Sequence, residues 1–465
     1  MMEKIKTWLK NNRKIIIIFL IAFIPRLIFM LASYFIQGDY SFREGQDGYL
    51  DAGLNLLLHG VFTGESNFPL TPHSFPAPGY PVLLAVSWLI IPKYVFVVFW
   101  QNIMFSIFIV YIYKFSRLFF NDFISFAAAI FTALEPFSIL WPNVVMSETP
   151  FLLFFMLSLY FLALFWKEEK WKFIIYSAVL LGLAALIRPI VTYFYPVIFI
   201  SSVIMSWPKI TQPKLVKFLL VYLIVFLAVI SSWSVRNKIQ FNDYAISTLP
   251  NYLYFLTAAR DFLILSQGMS EIEADNYLQN LAIEKAGVEN FNQILMKDKY
   301  IPVLKEITQS LIKADLSGYF KWHLIKSIPV LTDSGWMEIL VFWHIKADKA
   351  QKVNISNLII QRDFSALASA MKDNRIFLIR IIGVGFWLFI DFIAFLGIIF
   401  MFLRKELLKI SLVMLLIIGY FVFASSWAAL ARLRLPFQPF LFLFFFYGLY
   451  WLYNKYLIKE KQSIL

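Results

Sequence analysis

Six charged residues stand where apolar segments begin or end: Asp47, Glu148, Arg188, Arg236, Arg432 and Arg434. Asp47 and Asp51, four apart, would share one side of a short amphipathic helix reaching Leu58, with Leu50, Leu54, Leu57 and Leu58 on an apolar face at the bilayer interface. Glu148, within Met146-Ser147-Glu148-Thr149-Pro150, opens an apolar run, where the positive end of a helix favours an acid. Arg188-Pro189 separates two runs, Trp233-Ser234-Val235-Arg236-Asn237 closes one, and Arg432-Leu433-Arg434-Leu435-Pro436 opens the last. Guanidinium forks match phosphate oxygens bidentately, so these arginines call for an anionic head group as partner. Tyr49, Asp51 and Tyr80 are supporting candidates beside them, and Glu135 and Asp391 are further acids within or at the edge of apolar stretches.

Such residues need elements to hold them, and composition says which. Of 465 residues, 60% are hydrophobic and only 15% charged, against about 25% charged in soluble domains. Mean hydropathy is +0.71. Spanning-length apolar runs recur along the chain, so the fold class is an all-α polytopic membrane protein. The excess of 42 Lys and Arg over 29 acids clusters beside those runs as topology signals, which argues against nucleic acid as partner. With no cysteine, disulfides and thiolate metal sites are excluded, and the four histidines include no close pair.

Apolar stretches are expected at about 15–36, 79–91, 94–116, 121–140, 149–166, 172–187, 190–206, 215–233, 376–402, 408–426 and 435–453. Basic clusters are mutually compatible only if one early stretch does not cross. The 79–91 stretch is the candidate, since 13 residues reach only ~20 Å of a ~30 Å hydrocarbon core. Ten spans remain, with both termini inside. The chain divides into an N-terminal membrane module at 1–235, with a first external loop at 37–78, a mainly helical extracytoplasmic insert at 236–375, and C-terminal membrane helices at 376–465. Every candidate acid and arginine in the connecting loops then falls on one face. Within the insert, Glu271 to Lys299 and Ile301 to Lys313 carry helical spacing.

The order of motifs resembles the integral-membrane glycosyltransferases of the protein O-mannosyltransferase and aminoarabinose transferase type, family 39 relatives within the GT-C fold. The matching residues are Asp47-Gly48-Tyr49 with Ala52 and Asn55-Leu56-Leu57; Pro78-Gly79-Tyr80-Pro81; Ser147-Glu148; Gly182-Leu183-Ala184 with Arg188-Pro189; Trp233 with Arg236-Asn237; and Arg434-Leu435-Pro436. The resemblance implies a GT-C-like bundle of about 10–11 transmembrane helices with an external insert. It also implies a sugar donor on a polyprenyl monophosphate, inversion at the anomeric carbon, and Asp47 as catalytic base. Some members carry an adjacent acidic pair in this loop; here Gly48 follows Asp47, which leaves Asp39 and Asp51 as alternatives.

A lipid-phosphate donor carries its own leaving group, so no nucleotide-binding motif is required, and the chain has neither GxGxxG nor a P-loop. What remains is a base for the acceptor hydroxyl, with Asp47 and Glu148 as the two carboxylates, and cations for the departing phosphate, drawn from Arg188, Arg236, Arg432 and Arg434. Asp47 and Glu148 could share a divalent cation, though two carboxylates make a weak ligand set. The expected partners are the polyprenyl-phosphate-linked donor, membrane lipid, and a lipid, glycan or protein acceptor. The expected location is the prokaryotic inner (plasma) membrane, with the site on the extracytoplasmic side. The competing readings are an O-antigen ligase or polymerase-like enzyme and a polytopic transporter; the absence of an internal repeat speaks against the latter.

Overall fold

A computed structural model of the protein describes residues 12–43, 48–207, 212–295, 297–344, 365, 369, 375–428 and 430–455. The described residues are helical or irregular, with no strand among them. The membrane module begins with α1 (Arg13–Gln37) and α2 (Tyr49–His59), followed by α3 (Gly79–Ile90) and α4 (Tyr94–Ser116). It continues with α5 (Asp122–Leu134), α6 (Pro136–Leu140), α7 (Glu148–Glu168), α8 (Trp171–Ile187), α9 (Tyr195–Ser206) and α10 (Gln212–Phe241). The insert contributes α11 (Leu249–Leu253), α12 (Arg260–Gln267), α13 (Glu271–Ala286), α14 (Ile301–Ala314), α15 (Leu316–Thr332) and α16 (Met337–Phe342). The chain finishes with α17 (Arg375–Phe402), α18 (Lys405–Ser425) and α19 (Gln438–Tyr453).

Among the described residues, six helices are long and apolar enough to span a membrane, or seven where the bent pair of α5 with the following turn is counted as one span. That is fewer than the ten expected, for local reasons. The 121–140 stretch breaks by 65° at Glu135-Pro136. The residue before a proline is driven out of the helical region, and Glu135 sits at φ −58°, ψ 128°. Prolines at 189 and 196 likewise leave α8 and α9 at 17 and 12 residues. α3, with 12 residues, is as short as expected.

A broken helix within an apolar bundle exposes backbone groups that water cannot serve. Two buried side chains serve them here. Glu135 accepts from the amides of Phe137 and Ser138 at 3.2 and 2.8 Å. Arg26, fully buried on α1, donates to the carbonyls of Ala133 and Ser138, both at 2.9 Å. The indole of Trp336 in the insert donates to Glu135 at 3.0 Å and so ties the insert to the break.

The main core runs through the whole bundle, with Phe131 packed among Phe442, Phe445 and Phe446. α17 and α19 cross closely because position 397 is glycine. A Cβ there would lie 2.0 Å from the carbonyl oxygen of Phe444, the small-residue contact that lets membrane helices approach. The insert has its own core, in which Ile301, Leu304 and Ile307 of α14 meet Ala274, Leu278 and Ala282 of α13. Phe75 of the first loop is part of that core. α14 follows the expected 301–313 helix, whereas the expected 271–299 helix stops at Gly287, which ends α13 in the left-handed region.

Candidate active site

α7 and α8 form an antiparallel hairpin, which puts the first residue of one beside the last of the other. Glu148 starts α7 and is 3% exposed; Arg188, pushed out of α8 by Pro189, stands at its C-terminal end. Each charge is on the helix end that favours it, and Arg188 Nη1 meets Glu148 Oε1 at 2.5 Å. The same Arg188 nitrogen donates to Ser147 Oγ at 3.3 Å. A second guanidinium arrives from the turn between α18 and α19: Arg432 Nε lies 3.8 Å from Glu148 Oε1, with its head over the Trp141 ring at 5.7 Å. Arg432 donates no hydrogen bond to a described residue, so its fork is uncommitted.

Tyr80 stands at the same end of α8. A Cβ at Gly79 would stand 2.8 to 2.9 Å from Ile187 and Leu186, so only glycine lets α3 start against the end of α8. Next to it, Tyr80 donates to Gln101 Oε1 at 2.8 Å, and Gln101 donates to the carbonyls of Pro142 and Val144 at 3.0 and 2.7 Å. α3 is too short to span. Burial holds the Tyr80 hydroxyl well above its ordinary range, and Tyr49 and Glu148 add to that. Tyr49 meets Tyr80 edge to face, with ring centroids 5.2 Å apart.

The first loop joins the same end. The amide of Val145 donates to the carbonyl of Phe42 at 3.1 Å, tying the loop to the segment that leads into Glu148. Asp47 lies outside the described residues. Asp51 occupies the first turn of α2, half-buried. Asp39 is engaged elsewhere, since its two carboxylate oxygens accept from the amides of Tyr94 and Val95 at 3.0 and 2.8 Å and so cap α4.

The four arginines do not all converge. Arg188 and Arg432 meet at Glu148. Arg236 instead donates to the carbonyl of His73 at 3.0 Å and to Asn237 at 2.8 Å, among the rings of Phe62, Trp233 and Phe241. Arg434 is fully buried and donates to the carbonyls of Val330, Leu331 and Asp333 at 3.2, 2.9 and 2.6 Å, over the Trp387 ring. It caps the C-terminal end of α15. Asp391 bears on Arg434 electrostatically, away from Glu148.

Sequence reasoning missed Gln101, Trp141 and Arg26, and it named Ser147 in a motif without giving it a role. Gln101 carried a signal, as an amide in an otherwise apolar run beside Asn102. Among the described residues no group of three or more His, Asp or Glu is placed to hold a metal ion.

Residues 76–233 match the family of dolichyl-phosphate-mannose-protein mannosyltransferases. That stretch holds Tyr80, Glu148 and Arg188. No curated protein sequence matches the chain significantly. Among solved structures, the chain resembles the archaeal oligosaccharyltransferase AglB from Archaeoglobus fulgidus, in complex with an inhibitory peptide and a dolichol-phosphate. The TM-score is 0.52 at 14% identity, over 98% of this chain and 52% of that one. An Archaeoglobus fulgidus oligosaccharyltransferase tethered to an acceptor peptide gives the same TM-score and identity, over 97% of this chain and 50% of that one. The chain thus spans about half the length of the structures it matches, and the architecture it shares with them is that of a GT-C membrane protein.

Proposed function

We propose that the protein is a membrane glycosyltransferase that moves a sugar from a polyprenyl-monophosphate donor to a hydroxyl-bearing acceptor. We place the reaction at the extracytoplasmic face of a prokaryotic inner membrane. One observation carries the reading: guanidiniums from two distant segments, Arg188 and Arg432, converge on the buried Glu148, and the Arg432 fork has donors to spare. A carboxylate holding two arginines at the end of a bundle suits an anionic leaving group approaching from lipid. The similarity of residues 76–233 to dolichyl-phosphate-mannose-dependent transferases supports it, as does the dolichol-phosphate bound to the structural neighbour. These likenesses favour neither an O-antigen ligase nor a transporter.

In this reading Asp47 takes the proton of the acceptor hydroxyl, whose oxygen attacks the anomeric carbon as the bond from that carbon to the phosphate oxygen breaks. The electron pair leaves with the polyprenyl phosphate, and the Arg432 fork binds the charge that develops there. Glu148 does not react; it holds Arg188 and draws the Arg432 guanidinium to the site. Tyr80, held by Gln101, and Tyr49 line the sugar side.

The test is donor turnover by the purified protein in lipid nanodiscs, without any ion gradient, across polyprenyl-phosphate-linked sugars. Release of polyprenyl phosphate coupled to a glycosylated acceptor is expected, and Asp47→Asn is expected to stop it while donor binding persists. Undiminished transfer by Asp47→Asn would overturn the assignment of the base, and the absence of turnover with every donor would overturn the transferase reading.

A further inference from the structure

The insert carries an open cavity of about 580 Å³ far in sequence from Glu148, Arg188 and Arg432, within the ~300–1,000 Å³ range of small-molecule sites. Leu256, Ile283 and Leu295 form its apolar floor, where they pack on the insert's own core. The ring of Phe291 forms one wall and is held by stacking on Phe255, with centroids 6.1 Å apart and planes 27° apart. Gln279, Asn290, Asn292 and Glu289 make the rim. None of these four side chains hydrogen-bonds to another described residue, so three carboxamides and a carboxylate are uncommitted around one aromatic face.

We infer that this cavity binds a neutral or amine-bearing saccharide. Each carboxamide presents a donor pair and an acceptor side by side, which matches neighbouring sugar hydroxyls that both give and take a hydrogen bond. The carboxylate adds an acceptor-only group, suited to a hydroxyl or an ammonium. The Phe291 ring and aliphatic floor suit the C–H face of a pyranose. Among the described residues neither a lysine nor an arginine lines the cavity, and the rim carboxylate repels anions, so phosphorylated or carboxylated glycans are disfavoured. A peptide that binds by adding to a sheet edge finds no strand to pair with in the described part of the insert. That the bound saccharide is part of the acceptor rests on the transferase reading; that the cavity binds it does not.

Saturation-transfer NMR on the full-length protein in nanodiscs tests this with mannobiose, cellobiose and N,N′-diacetylchitobiose, with digalacturonate and a serine-containing hexapeptide as alternatives. At least one neutral disaccharide is expected to receive saturation. Asn292→Ala, a change at an exposed side chain, and Phe291→Ala should each weaken its binding at least fivefold, with Phe291→Tyr restoring it. Binding of digalacturonate or the hexapeptide alone, disaccharide binding that both alanine variants leave unchanged, or no binding at all would overturn the proposal. Donor turnover read on the same samples separates the two claims. Disaccharide binding without turnover removes the transferase reading and leaves the cavity, while turnover without disaccharide binding does the reverse.

Discussion

Arg432 and Arg434 lie two residues apart on one 3₁₀ turn yet address different neighbours. Arg432 stands 3.8 Å from the Glu148 carboxylate, and Arg434 caps three carbonyls at the end of α15. Such a turn rotates roughly 120° per residue, so positions i and i+2 cannot share a face. Arg432→Lys is expected to lower donor turnover about 100-fold with an unchanged melting temperature, because an ammonium loses the fork. Arg434→Lys should do the opposite, costing about 1.5–3 kcal/mol of stability through its carbonyl partners. Parallel kinetics and thermal unfolding decide; equal effects of the two changes on turnover would refute the division of labour.

Glu148→Gln keeps the shape and removes the charge that both arginines face. Turnover should fall about 100-fold, and a further Arg432→Lys change should add far less than it does alone, because both act through one contact. A double-mutant cycle on turnover reads this directly, and strict additivity contradicts it.

Asp39 accepts two amides at the start of α4. Asp39→Asn should therefore cost about 1 kcal/mol of stability and leave the pH–rate profile intact, whereas loss of a base would remove its acidic limb. Comparing the profiles of Asp39→Asn and Asp51→Asn with wild type settles whether either acid takes the proton.

His323 of α15 is enclosed by Tyr319, Trp322 and Phe423, with Nδ1 against Ser426 Oγ. Burial pushes its pKa from 6.5 down to about 4. Since the folded state holds the ring neutral and the unfolded chain takes up the proton first, this stability is complete above pH 6.5. It is lost as pH falls from 6.5 towards 4, with a slope of up to ~1.4 kcal/mol per pH unit. Thermal unfolding of wild type and His323→Gln at pH 7 and pH 5 checks it: wild type should lose more than the variant.

Gly79 separates α3 from the end of α8. Gly79→Val places methyl carbons where Ile187 and Leu186 already stand at 2.8 to 2.9 Å from a Cβ. Either α3 shifts, taking Tyr80 off Gln101, or the end of α8 moves with Arg188. Turnover should collapse in both cases, and a variant of normal activity would show that the close approach does not set the site.

Much of this arrangement was legible from local rules. Prolines and charges at helix ends mark where Arg188 and Glu148 must sit, and the shortness of the 79–91 stretch shows that it cannot cross alone. Membership of a shared end could be inferred from topology, but not who pairs with whom. Arg236 and Arg434 looked equivalent to Arg188 and Arg432, because a linear pattern records the end of a helix and not the rotation about it. The 121–140 stretch read as one apolar run although Pro136 marks its break; what a linear pattern does not carry is that Arg26, which supports the break, comes from a different helix altogether.

Glu148 is placed well before its second arginine, which the ribosome delivers only with the last loop. A nascent chain therefore has the first half of the centre in the bilayer while its anion-gripping half is still unmade. In the transferase reading, a chain truncated before Arg432 should be inert however well its earlier helices insert.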